Sequence, residues 1–293
     1  MTAGRVLVTG ATGQLGSAIV RTFADADVVA LQRADLDVAD PAVVRTVVAG
    51  ARPDIIVNCA AFNDVDGAET APTAALAVNA FAVRSLARAA DACGAMLVHY
   101  GSDFVFDGEA STPYTETAEP APRSTYAASK LLGEWFALDT PRGFVLRVES
   151  LFGCDVTWQG RRGTLDSIVN LLEQGREVRV FTDRVVSPSY IEDVAAATRH
   201  LVTSGVTSGA APGLYHCVNS GAATWHDVAR EAATLLGVTP RFKTTTMAAA
   251  ALPASRPRYC ALDNAKLAAA GYQMPPWQDA LKRWLAVRRQ PAA

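Results

Sequence analysis

The stretch from Thr9 to Gly16, Thr-Gly-Ala-Thr-Gly-Gln-Leu-Gly, constrains the fold of this chain more than any other. It follows Arg5-Val6-Leu7-Val8, an apolar run rich in β-branched residues as a buried strand is, and precedes a helical pattern from Gln14 to Ala24. The order is strand, glycine turn, helix. Gly10 suits a turn with positive φ, Gly13 leaves room for a phosphate against the backbone, and Gly16 lets helix and strand approach closely. The N–H groups that open the helix then face a pyrophosphate, so the implied ligand is a dinucleotide. The spacing Gly-x-x-Gly-x-x-Gly is one residue longer than the usual dehydrogenase fingerprint. Its weight comes from standing at the first strand-to-helix turn of the chain.

The alternation continues. Val28 to Leu31 reads as a strand, Pro41 to Gly50 as a helix capped by Asp40 with Pro41 at its first position, and Ile55 to Val57 as a third strand. A long helix from Pro72 to Cys93, a strand from Met96 to Tyr100, a helix from Ser124 to Leu138 and a strand from Phe144 to Leu146 follow. This rhythm predicts an α/β fold, a Rossmann-type doubly wound parallel sheet with helices on both faces and ligands at the carboxyl ends of its strands. Beyond Gly153 the rhythm loosens. Helices are expected over Leu165 to Gln174, Ile191 to Val202, Thr224 to Leu236 and Pro276 to Val287, with strands at Val178 to Val180 and Leu214 to Val218. The expected organisation is a dinucleotide-binding domain over residues 1–152 and a smaller, mainly substrate-binding region over 153–293, with some of its elements returning to the sheet.

Composition narrows the partners. The 27 basic residues are dispersed among 29 acidic ones with no basic block, which argues against nucleic acid and for a small molecule. Five scattered cysteines without a Cys-x-x-Cys pair read as buried thiols in a reducing compartment. No basic, apolar leader opens the sequence and no apolar run approaches ~18 residues, so a soluble, cytoplasmic protein with no membrane partner is expected. The four histidines lack metal spacing, and no Gly-x-Ser-x-Gly elbow or phosphate-loop lysine is present, which disfavours hydrolases and kinases.

The chemistry is carried by Ser102, Tyr126 and Lys130. Tyr126 and Lys130 stand four apart on one expected helix, so they share a face. Two charges ~4 Å apart at an effective dielectric of ~20 interact by about 4 kcal/mol, enough to bring a phenol from ~10 towards neutrality. Such a tyrosine hands a proton to a carbonyl oxygen while hydride arrives from a nicotinamide. Ser102, just past the fourth strand, hydrogen-bonds the same oxygen. With 7 tyrosines and few lysines in 293 residues, a chance Tyr-x-x-x-Lys is expected only about 0.1 times, and here it falls on the helix after that strand.

With these motifs in place, the chain resembles the extended short-chain dehydrogenase/reductases, and within them the dTDP-4-dehydrorhamnose reductases and related nucleotide-sugar 4-ketoreductases. The matching stretches are the Gly10 to Gly16 turn, Asp35-Leu36-Asp37, Val57 to Phe62, Val78-Asn79-Ala80, Ser102 to Gly108, Tyr126 to Lys130, Leu146-Arg147 and Ser187 to Tyr190. The resemblance implies NAD(P)H-dependent reduction of the 4-keto group of a nucleotide-activated deoxysugar, with Ser102, Tyr126 and Lys130 as the catalytic trio. Gly10, Thr12, Gly13, Gln14 and Leu15 are the cofactor candidates of the turn. Tyr126 and Lys130 also meet the cofactor. The resemblance places Asp37 and Val38 beside the adenine, Ala60 and Ala61 along the cofactor, Asn79 close beneath it, and Asp103 and Val105 towards the sugar.

Two departures bear on the sugar: Phe104 replaces a customary tyrosine, and Arg147-Val148-Glu149-Ser150 replaces Arg-Thr-Ser-Trp, so Ser150 stands where an indole usually does. The pocket wall is therefore expected to be wider and less polar, unless Leu151, Phe152 or Trp158 fills the gap. For the substrate pyrophosphate, Arg184 and Arg256 are the leading guanidinium candidates, with Arg161 and Arg162 behind them. Gln32 and Arg33, ending the second strand, favour NADPH, while Asp35 leaves NADH possible. No essential metal is expected, and the chain is read as a monomer or homodimer. The competing readings are an epimerase or dehydratase on the same scaffold, and an NADP-binding regulatory subunit resembling that of methionine adenosyltransferase. A dehydratase needs an acidic pair beside the serine, and Phe104 stands where its glutamate would.

Overall fold

The structure is a computed structural model that describes residues 4–154, 160, 162–204 and 210–288. The first half follows the predicted alternation: β1 (Arg5–Thr9), α1 (Gln14–Thr22), β2 (Asp27–Leu31), α2 (Pro41–Ala51) and β3 (Ile55–Asn58), then α3 (Val65–Thr70), α4 (Pro72–Leu76) and α5 (Ala82–Cys93). β4 (Met96–Ser102), α6 (Thr125–Leu138) and β5 (Gly143–Val148) complete it. The second half adds β6 (Leu151–Phe152), α7 (Thr164–Glu173), β7 (Glu177–Phe181), β8 (Val185–Val186), β9 (Ser189–Tyr190), α8 (Ile191–Ser204) and β10 (Gly213–His216). It ends with β11 (Ala223–Thr224), α9 (Trp225–Leu236), β12 (Arg241–Thr245), α10 (Ala265–Ala269) and α11 (Trp277–Arg288).

The main sheet has six parallel strands in the order β10-β5-β4-β3-β1-β2. Its strands are apolar on both faces because both faces are covered. Val6, Val8, Ile55, Val57, Phe144 and Leu146 join one core with Ala18 and Ile19 of α1, while Leu7, Ile56, Leu97 and Val145 join another with Val44 of α2 and Leu86 of α5. This is a doubly wound Rossmann-type sheet. The first core does not stop there: it continues through Val178, Val228 and Trp284, so the second half shares its apolar interior with α1 and the sheet. β10 returns beside β5, with Cys217 N–H donating to the Arg147 carbonyl just beyond it.

Asp40 caps α2 through the N–H groups of Ala42 and Val43, as expected of an Asp-Pro start. The long helix expected over Pro72 to Cys93 is interrupted by a π turn at Ala77–Phe81, the segment that carries Asn79. Several short elements escape the sequence pattern, among them β6, β8, β9, β11 and α10. So do two others: α3 is six residues long, and β12, Arg-Phe-Lys-Thr-Thr, has one large apolar residue and pairs with β7. Among the described residues, no helix is long and apolar enough to cross a membrane.

Candidate active site

The glycine turn has the geometry a phosphate requires. Gly10 has φ 62°, and a Cβ on Gly16 would lie 2.2 Å from the Gly10 carbonyl oxygen, so nothing larger fits between turn and helix. α1 begins after Gly13 with neither a capping side chain nor an acid in its first turn. Its N-terminus, Gly13 to Gly16, lines a cavity of about 430 Å³, within the range of small-molecule sites. Ala60 and Ala61 after β3, Ser102, Asp103 and Phe104 after β4, and Tyr126 and Lys130 of α6 line the same cavity. A second cavity on the far side of the turn is lined by Thr12, Gln32 and Asp35, with Arg33 exposed beside it. A dinucleotide fits this donor set: an uncapped helix start for its phosphates and a polar strand end for a ribose.

The start of α6, and so Tyr126, is held from two sides. Ser124 accepts the Ala127 N–H at 3.2 Å, and Glu69 of α3 accepts the Thr125 N–H at 2.8 Å. The Tyr126 ring packs edge-on against Phe104, centroids 5.4 Å apart. Lys130 is buried and donates from Nζ to the Tyr100 carbonyl at 2.5 Å, and burial pushes its ammonium down to about 8 against the opposing pull of Glu134 and Cys59. Ser102 Oγ accepts the Phe104 N–H at 3.2 Å and lies 3.0 Å from Asp103 Oδ1.

Under the site lies a buried ion pair. Arg147 Nη2 and Nε bind the Glu134 carboxylate at 2.7 and 3.1 Å, with the guanidinium 4.9 Å above the Phe106 ring. It ties β5 to α6 directly beneath Gly101, where a Cβ would lie 2.2 Å from Glu134 Oε1.

The family model for the RmlD substrate binding domain matches residues 4–289. A dTDP-4-dehydrorhamnose reductase of Streptomyces griseus is 38% identical over 283 residues, covering 94% of this chain and 91% of the relative. The chain belongs to the dTDP-4-dehydrorhamnose reductase family. A probable dTDP-4,6-dihydroxy-2-methyloxan-3-one 4-ketoreductase of Streptomyces antibioticus is also 38% identical, covering 95% of this chain and 93% of that one. The crystal structure of dTDP-4-dehydrorhamnose reductase from Bacillus anthracis str. Ames in complex with NADP is 30% identical, with a TM-score of 0.89, covering 97% of this chain and 99% of that one.

Several of the expected site residues do not line this cavity: Asp37, Val38, Asn79, Val105, Arg184 and Arg256. Val105 is fully buried in a core with Phe106, Leu131 and Val218 and does not face the cavity, because the short 3-10 turn after Ser102 points it inward. Asn79 is fully buried too. Its amide accepts the Phe62 N–H at 2.8 Å and donates to the Phe62 carbonyl and to Ser129, so it pins the chain that follows Ala61. Val38 packs in the core with Leu36 and Val44, while Asp37 is exposed and accepts the Ala39 N–H. Arg256 is committed to Asp66 by two bonds at 2.9 and 2.8 Å, and neither it nor Arg184 lines the cavity. Arg184 turns inward instead, over the Phe104 ring and towards Asp103, Glu149 and Cys260.

The guanidinium that does line the cavity belongs to Arg162. Arg161 and Trp158 lie outside the described residues. Ser150 and Leu151 line the cavity, whereas Phe152 is buried against Tyr190 and Trp284 and leaves the wall to them. Asn58 is a lining residue to which sequence reasoning assigned no role. It accepts from Thr9 Oγ1 at 2.6 Å and from the Ala60 N–H, and its amide meets His99. A polar residue closing an otherwise apolar strand was the available signal.

Proposed function

We propose that this chain reduces the 4-keto group of a dTDP-linked deoxysugar at the expense of NAD(P)H, with NADPH preferred. The observation that carries the reading is one cavity lined both by an uncapped helix start and by Ser102, Tyr126 and Lys130. Bound NAD(P)H supplies the hydride that the carbonyl carbon receives. Tyr126 delivers the proton to the carbonyl oxygen, Ser102 donates a hydrogen bond to that oxygen as charge develops on it, and the Lys130 ammonium one helical turn away favours the phenolate that remains. The nucleotide sugar enters along Phe104, Ser150 and Leu151, with Arg162 meeting its phosphates. Beyond residue 152, Arg162 and Gly163 are the described residues that line this cavity. Purified protein with NADPH, screened against a panel of nucleotide 4-keto sugars by loss of cofactor absorbance, tests the assignment, and no turnover across the panel would refute it.

Two further results are expected. Arg33→Ala should lower the ratio of NADPH to NADH efficiency, since the arginine at the end of β2 meets the 2′-phosphate. An unchanged ratio would show that Thr12 and Gln32 make the choice alone. On the sugar side, the wall at Phe104, Ser150 and Leu151 lacks both the hydroxyl and the indole customary in the family, and such a wall discriminates by only ~1 to 3 kcal/mol. Specificity constants for the rhamnose precursor and its 2-deoxy analogue should therefore fall within about a hundredfold of each other. A larger preference for the precursor would mean that another polar group reads the missing hydroxyl.

A further inference from the structure

Lys130 has to stay charged in a place that does not favour charge. It is 3% exposed, and its ammonium bonds to a neutral group, the Tyr100 carbonyl, 2.5 Å from Nζ. Among the described residues it forms no ion pair of its own. A buried ammonium without a counter-charge tends to give up its proton, whereas the reaction above uses Lys130 as a cation beside the tyrosine.

The nearest remedy lies one helical turn further along α6. Tyr126, Lys130 and Glu134 follow one another at intervals of four residues and so run along one face of the helix. Helix side chains lean towards the N-terminus, which tips Glu134 back towards Lys130. Both side chains reach β4 at consecutive residues. Lys130 Nζ meets the carbonyl of Tyr100, and Glu134 Oε1 takes the space beside Gly101 that a Cβ there would fill, 2.2 Å away. A larger residue at 101 would push the carboxylate off the strand. Glu134 is 1% exposed, so little solvent screens its charge from Lys130. Arg147 reaches the same carboxylate from β5, with its guanidinium over the Phe106 ring. Of the two charges in that ion pair, the carboxylate is the one that acts on Lys130.

We propose that Glu134, held by Arg147 against Gly101, is a positioning residue that keeps the buried Lys130 ammonium charged and so sustains proton delivery by Tyr126. The part that Lys130 and Tyr126 play in turnover rests on the reductase reading above; the hold of Glu134 on the lysine charge does not. The ion pair then has a task besides joining β5 to α6.

The other groups that face Lys130 do not replace the carboxylate. Burial pushes the Cys59 thiol, after β3, up and the His99 imidazole, on β4, down, so both are neutral at pH 7. Tyr100 offers only its carbonyl, its phenol being pushed up by burial and bonded to Thr198. Tyr126, on α6 itself, is the group that Lys130 serves. Glu134 thus remains as the charge that opposes burial, and removing it lowers the pH at which Lys130 loses its proton.

Two double variants remove the carboxylate without stranding the guanidinium: Glu134→Leu with Arg147→Met, and Glu134→Gln with Arg147→Gln, which leaves an amide pair in its place. In protein labelled with 13C at lysine Cε, Lys130 is one of four lysines, and the signal absent from Lys130→Met assigns it. Its titration midpoint without cofactor, about 8 in the wild type, should fall by about one pH unit in either double variant. The alkaline limb of kcat/KM should move down with it. The rate should then be roughly tenfold below wild type at pH 8.5 and within about twofold of it at pH 6. An unshifted midpoint in a variant that unfolds near the wild-type temperature overturns the proposal. A shifted midpoint with an unmoved alkaline limb, or a loss of rate equal at every pH, overturns the bearing of Glu134 on proton delivery. Failure of the wild type to reduce any 4-keto sugar defeats the reductase reading instead, and the lysine titration still decides whether Glu134 holds the charge.

Discussion

Tyr126→Phe should reduce ketone turnover by about 10²- to 10⁴-fold in kcat while NADPH binds as tightly as before. The substitution isolates the hydroxyl. The ring is nearly buried and held edge-on against Phe104, a contact that phenylalanine makes equally well, and α6 keeps its two N-terminal anchors at Ser124 and Glu69. Single-turnover reduction under saturating cofactor, paired with a cofactor titration, separates the two quantities. Turnover within a few-fold of wild type would remove Tyr126 as the proton donor. An equal loss of cofactor affinity would show that its hydroxyl holds the dinucleotide rather than the transferred proton.

Glu134→Ala should destabilise the fold by about 3–5 kcal/mol, because it strands the Arg147 guanidinium where both side chains are almost without solvent. For a chain of this size that corresponds to a fall of roughly 10 °C in unfolding temperature. No other described group replaces the carboxylate: His216 approaches Arg147 at 3.5 Å, but burial and the guanidinium itself push the imidazole down to about 3, so it stays neutral. Removing both charges together, as Glu134→Leu with Arg147→Met, should recover most of the loss, since the desolvation cost disappears with the pair. A calorimetric comparison of the two variants checks this. A single variant as stable as wild type would mean that the ion pair is only tolerated, and that Gly101 packs closely there for another reason.

The parallel sheet, the glycine turn and the meeting of Ser102, Tyr126 and Lys130 at one cavity were legible in the sequence because each rests on a local pattern. A two-sided strand is a short apolar run, the turn is set by glycines three residues apart, and Tyr126 and Lys130 share a face by helical periodicity alone. Their order along a right-handed alternating fold then places them at the carboxyl ends of neighbouring strands, which is where the cavity lies.

Tertiary structure decided what depends on residues far apart in the chain. Arg256 looked available to a phosphate until the fold brought it to Asp66, 190 residues earlier, and Arg184 until it met Asp103 and Glu149. Val105 stands one residue past two cavity-lining neighbours, yet a single tight turn sends it into the core. The acid pair behind Ser102 belongs to this second class. Sequence suggested that Phe104 left Asp103 without an acidic companion, and Glu149 reaches it from the end of β5, because adjacent parallel strands bring Ser102 opposite Val148. Periodicity and spacing encode which face a residue takes within its own element. Which charge it meets is determined by strand register and by the cost of burying that charge unpaired, and both exist only once the sheet has formed.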